Sequence, residues 1–160
     1  MLSLSRVPLL LATLAMMLLA NVSYASPDSA WDGTWELNLA KSKFDPGPPL
    51  KSQVRTLKTE GDMQTTTMKT VNDEGRTTNS KSSYRLDGKE YPITGSPDFD
   101  AVALKRVDDA TVSGVVKHQG KVAMQTTRTL SKDGKVMTVT NTGTNSAGQP
   151  MKNVMVFDRK

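Results

Sequence analysis

Side chains able to do acid–base or metal chemistry are few in this chain. There is one histidine, His118, and no cysteine. Carboxylates come close together at Asp73 with Glu74, at Asp98 with Asp100, and at Asp108 with Asp109. Such a pair serves acid–base catalysis when its two environments push the pKa values apart, or contributes oxygen ligands to calcium. Asp98 and Asp100 sit in the Pro- and Gly-containing stretch "TGSPDFDA", where aspartates commonly cap turns, and the other two pairs read the same way. His118 precedes Gln119 and Gly120, again a turn signal. Zinc needs several converging nitrogen or sulfur donors, and one histidine without cysteine does not supply them. No Ser-His-Asp arrangement can be built on it, and there is no glycine-rich phosphate loop. No catalytic residue, metal or cofactor is expected.

The elements that would position any site are strands. From residue 51 onward the chain repeats a short alternating run followed by a turn signal, such as "EGD" (60–62), "LDGK" (86–89), "HQGK" (118–121), "KDGK" (132–135) and "NSAGQP" (145–150). Asp-Gly-type pairs supply the positive φ of tight hairpins. The runs are rich in threonine and valine, whose branched Cβ favours strands. This spacing predicts about ten strands, near 33–39, 51–60, 63–72, 77–86, 89–93, 101–107, 111–118, 121–131, 136–144 and 151–159. Strands joined by short turns form a meander, and a long meander leaves two unpaired edges unless it closes. The fold class is therefore all-β, an antiparallel up-and-down meander of 8–10 strands closing into a barrel, with an open sandwich as the alternative. "AKSKFDPGPPLKSQ" (40–53) breaks the rhythm. Pro46, Pro48 and Pro49 forbid a regular strand or helix interior there, so it is expected to be a rigid crossover.

The first 25 residues read as a secretory signal peptide. Arg6 is the positive n-region, "VPLLLATLAMMLLA" (7–20) the apolar run, and Ser23 and Ala25 the small residues of a cleavage site. The run has 14 residues, short of the roughly 20 that span a bilayer. Residues 26–160 would then be one domain, exported to the periplasm or beyond, with no membrane span. That part carries 20 basic and 16 acidic residues, a net charge of +4. The basic residues are scattered and aromatics are few, which argues against nucleic acid. Lacking cysteine, the domain must rely on a hydrophobic core. Residues 26–160 are enough for one, but a lean one, with 40 residues of types A, V, I, L, M, F, W and Y beside 18 threonines.

"DGTWELNLAKSKFD" (32–45), and in it Gly33-Thr34-Trp35, resembles the opening of the calycin families: the Gly-Thr-Trp start of fatty-acid-binding proteins and the Gly-x-Trp of lipocalins. "LNLAKSKF" and "YPITGSPD" are similar to a bacterial group of secreted lipocalin-like proteins of unassigned function. The resemblance implies that Gly33 lets the entering chain approach the barrel, that Trp35 closes its base, and that Arg159, or alternatively Lys160, packs across the indole. Such a contact is worth about 0.5–2 kcal/mol. There are departures. Residues 40–50 are too few and too proline-rich for the two portal helices of fatty-acid-binding proteins. The positions of their carboxylate-binding Arg-x-Tyr correspond to Met155 and Phe157. The fold is implied more firmly than a fatty acid ligand.

The expected function is an exported lipocalin-like barrel that binds a small apolar or amphipathic ligand in its lumen without chemistry. Met68, Tyr84, Val102, Leu104, Val116, Met124 and Phe157 are the candidate lumen residues. Methionine adapts to irregular apolar shapes, which suits a plastic cavity as well as ordinary core filling. Two alternatives stay open: a barrel or sandwich with a filled interior that serves protein interaction or the envelope, and a small barrel enzyme.

Overall fold

A computed structural model describes residues 27–144 and 148–160. The expected signal peptide, 1–25, and residues 145–147 of the last turn signal lie outside the described residues. The chain enters through a 3-10 turn, Pro27–Trp31, followed by β1 (Gly33–Leu37), a second 3-10 turn (Leu39–Lys41) and β2 (Lys43–Asp45). Nine longer strands follow: β3 (Ser52–Glu60), β4 (Met63–Val71), β5 (Thr77–Tyr84), β6 (Asp87–Thr94), β7 (Ala101–Asp108), β8 (Thr111–His118), β9 (Lys121–Leu130), β10 (Val136–Thr144) and β11 (Pro150–Arg159).

From β3 to β11 each strand pairs antiparallel with its neighbour in sequence. β1 pairs with β3 on one side and with β11 on the other, which closes ten strands into a barrel. Closure removes the sheet edges that a meander of this length would otherwise expose. The wall is not uniform. β3 and β4 are joined through nine residue pairs, Ser52↔Val71 to Glu60↔Met63, but β5 and β6 through only two, Lys81↔Thr94 and Ser82↔Ile93.

The segment 40–53 differs from the expected crossover. It contains β2, which continues the line of β1 along β11 in the register Phe44↔Asn153. The prolines do not prevent this, because the strand ends at Asp45, just before Pro46. β1 itself ends at Leu37 rather than 39. Asn38 caps the second 3-10 turn, its side chain accepting from the Lys41 amide, and Ser42 Oγ donates to the Asn38 carbonyl at 2.7 Å.

Strand alternation sends every second side chain inward. Those near the start of β1 and the end of β11 pack into a closed base. Trp31, Trp35, Phe157 and Met137 are fully buried there, with Leu57 and Val112 next to them. Burying an aliphatic or phenyl side chain such as Leu57 or Phe157 stabilises the fold by roughly 1.5–3 kcal/mol.

Candidate functional site

The base is built from both ends of the described chain. Trp35 and Arg159 face each other across the β1–β11 ladder, and the guanidinium carbon lies 4.2 Å from the indole centroid. Arg159 also donates to the carbonyls of Gly134 at 2.6 Å, Ala30 at 2.7 Å and Asp32. Lys160 does not take this place; its amide donates to the Thr34 carbonyl and its ammonium pairs with Glu36. Gly33 has φ +132°, and a Cβ there would lie 2.8 Å from Arg159 Nη1. Only glycine leaves room for the guanidinium at that backbone angle.

Below the indole sits the first 3-10 turn. Trp35 Nε1 donates to the Trp31 carbonyl at 3.0 Å. Asp32 accepts from the Thr59 amide and hydroxyl, at 3.1 and 2.7 Å. Asp28 forms an ion pair with the inward-facing Arg106 of β7. The turn is thus a plug fixed to the wall by hydrogen bonds and one charge pair, and Trp31 fills the floor.

Above the plug lies a polar cluster inside the barrel. Tyr84 and Gln64 are cross-strand neighbours, and Tyr84 Oη donates to Gln64 Oε1 at 3.0 Å. The same hydroxyl lies 2.7 Å from Thr66 Oγ1 and accepts from Arg128 Nη1 at 3.0 Å. Arg128 Nη2 reaches Gln64 Oε1 at 3.4 Å. Arg128 is only 4% exposed, with its guanidinium carbon 5.7 Å from both the Trp31 and the Tyr84 ring centroids.

A second inward arginine, Arg55 of β3, is half-buried. Its Nε donates to Gln53 Oε1 at 2.8 Å, and its guanidinium lies 4.8 Å from the Phe157 ring centroid. Burial, with the neighbouring Arg128 cation, pushes the Arg55 guanidinium down to about 10, which leaves it charged at neutral pH. Neither Arg55 nor Arg128 takes part in an ion pair among the described residues.

The candidate lumen residues fall into two levels. Tyr84, Leu104 and Phe157 are buried and belong to the packed core. Val102 is buried, and cross-strand register puts it in one row with Val116 and Met124, both half-buried. Met68 is half-buried beside Arg55. With Tyr91 and Ile93, both half-buried and packed against the core, these residues form an apolar wall that protein atoms cover only in part. Arg55, Arg128 and Trp31 go beyond the residues picked from the sequence. The spacing Gln53–Arg55–Leu57 and Thr126–Arg128–Leu130 carries the signal for the arginines, since it puts each on the face of a buried leucine or threonine.

The carboxylate pairs are turn residues. Asp108 accepts from the Ala110 amide at 2.8 Å, Asp100 accepts from the Gln119 amide, and Glu74 pairs with Arg76. His118 is exposed at the end of β8. No group of three or more His, Cys, Asp or Glu positioned to hold a metal occurs among the described residues. A shallow cleft of about 330 Å³ lies on the β3–β4–β5 wall, lined by residues such as Val54, Lys69, Asn79 and Gly95. No helix among the described residues is long and apolar enough to cross a membrane.

No family model and no curated protein sequence matches the chain. Among solved structures it is similar to the zebrafish ileal bile acid-binding protein, crystallised with cholic acid. The TM-score is 0.55 and the sequence identity 17%, over 82% of this chain and 100% of that one. At that identity the likeness is one of fold: a closed ten-stranded antiparallel barrel.

Proposed function

We propose that the protein holds a small amphipathic molecule inside its barrel and does no chemistry on it. One observation carries this reading: an inward apolar row, Val102, Val116 and Met124, leads from buried to half-buried positions, with a charged Arg55 on the same inner surface. Apolar walls with a few placed polar groups are what a small-molecule site requires. The neutral partners of Arg55 favour an acidic head group over a neutral one, because a charge-assisted hydrogen bond is about twice as strong as a neutral one. The likeness to a bile acid-binding protein supports a binding role in general.

The packed floor, with Trp31, Trp35 and Phe157 fully buried, favours the second reading, an interaction module with a filled interior. Titration of delipidated protein with dodecanoate and with dodecanol separates the two. Saturable binding of dodecanoate, weakened about tenfold by Arg55→Met with dodecanol unaffected, is the expected result. If neither compound binds saturably, the filled-interior reading replaces this one.

Export rests on the signal-like segment 1–25. In a Gram-negative bacterial host, recovery from the periplasm with Ser26 at the amino terminus is expected, and retention in the cytoplasm with Met1 intact overturns it.

A further inference from the structure

Three buried hydrogen-bond donors near Arg128 lack a partner among the described residues, against one buried acceptor, Asn141 Oδ1, one inward position further along β10. Arg128 Nε, Gln64 Nε2 and Trp31 Nε1 are all buried and have no hydrogen-bond partner among the described residues. Arg128 is 4% exposed, Gln64 1% and Trp31 0%. They lie near one guanidinium: Gln64 Oε1 is 3.4 Å from Arg128 Nη2, and the Trp31 ring centroid is 5.7 Å from its carbon. Turning the Gln64 amide over does not relieve the imbalance. Its oxygen already accepts from Tyr84 and Arg128, so the NH2 end is the surplus one.

Charge is unbalanced at the same place. Arg106 has Asp28, and Arg159 has three carbonyls at the rim. Arg128 has only the neutral Tyr84 and Gln64, and Arg55 is a second cation close enough for the two to repel. A buried ionised group is strongly disfavoured without a counter-charge. Water would satisfy donors, but it would leave the two positive charges uncompensated.

We propose that the floor of the barrel binds a compact monovalent anion, held by Arg128 with Gln64 Nε2 and Trp31 Nε1 as further donors. The required ligand is one that only accepts hydrogen bonds and carries one negative charge. A halide and a carboxylate head group share that chemistry. The proposal does not rest on the amphipathic-ligand reading, since the halide arm of the test contains no amphiphile.

The protein without its first 25 residues, desalted into sodium gluconate, is melted while bromide replaces gluconate at constant ionic strength. A saturable rise in Tm of about 4 °C is expected. Gln64→Glu brings a carboxylate to the guanidinium and is expected to abolish the rise while staying folded. Arg128→Met, which removes the cation, is the second variant and is expected to do the same. Bromide anomalous scattering in crystals locates the ion and gives the answer if neither variant folds. If dodecanoate, but not bromide, produces the rise that both variants abolish, a ligand head group supplies the anion and the floor site stands. An equal bromide response in wild type and both variants overturns the proposal. So does the absence of any response to either anion, or bromide density away from Arg128.

Discussion

Arg159 and Trp35 are cross-strand partners whose guanidinium and indole stack 4.2 Å apart, and the same guanidinium reaches the carbonyls of Ala30, Asp32 and Gly134. One side chain therefore joins the entering segment, the first strand, the last strand and the β9–β10 turn. Arg159→Met loses the cation–π contact and three hydrogen bonds, a cost of about 3 kcal/mol. Arg159→Lys keeps the charge but not the fork that spreads over several acceptors, and is expected to fall between. Urea unfolding of the three proteins checks the order, and equal midpoints for wild type and Arg159→Met would refute the clamp.

Gly114 carries a second steric demand, this time in the wall. A Cβ there would lie 1.9 Å from the Ala103 carbonyl oxygen and 2.8 Å from Leu104 Cα, both backbone atoms that cannot step aside. Gly114→Ala must push β7 away from β8. A loss of more than about 3 kcal/mol is expected, read as a collapse of the denaturation midpoint or loss of soluble protein. A variant as stable as wild type would show the two strands to be further apart than described.

The Tyr84 hydroxyl is the hub of the interior cluster, bonded to Gln64, Thr66 and Arg128. Tyr84→Phe leaves the ring in place and takes one hydrogen bond from each of three polar neighbours in a buried site. The expected cost is about 2 kcal/mol, measured by thermal or urea unfolding. No change in stability would mean that water satisfies the cluster in the folded protein.

Asp158 ties the second 3-10 turn to β11, accepting from Asn38 Nδ2 at 2.6 Å and from Lys41 Nζ at 3.1 Å. These bonds, Asn38 first, hold its carboxyl below the ordinary value of 3.8. A depressed folded-state pKa contributes stability that is complete above the unfolded value and is lost as pH falls through the folded one. The Tm gap between wild type and Asp158→Asn is therefore expected to stay level above about pH 5 and to shrink as the solution drops below the ordinary carboxylate range. A gap that persists at low pH would assign the effect to packing.

The closed meander was legible because turn signals and β-branched runs repeat along most of the chain, and because Gly33-Thr34-Trp35 is a local pattern with a specific role. What the sequence does not reveal is where polar residues reverse the usual rule. Arg55 and Arg128 alternate correctly with buried neighbours, yet arginine ordinarily faces water, so side-chain type hides what spacing discloses. Trp31 belongs to no periodic run. Its place under the barrel depends on Asp28 meeting Arg106 and on Asp32 meeting Thr59, contacts between segments far apart in sequence. β2 escaped notice for a simpler reason: three residues ending at Asp45 are too short to alternate visibly beside a proline cluster.

The seam between β1 and β11 also constrains how the chain reaches its final shape. Arg159 binds the Asp32 carbonyl across 127 positions, so the entropy of a very large loop must be paid before that contact returns anything. Until then the first and last strands remain bare templates for foreign strands. A chain that has not yet closed this seam therefore exposes the strand edges that favour aggregation.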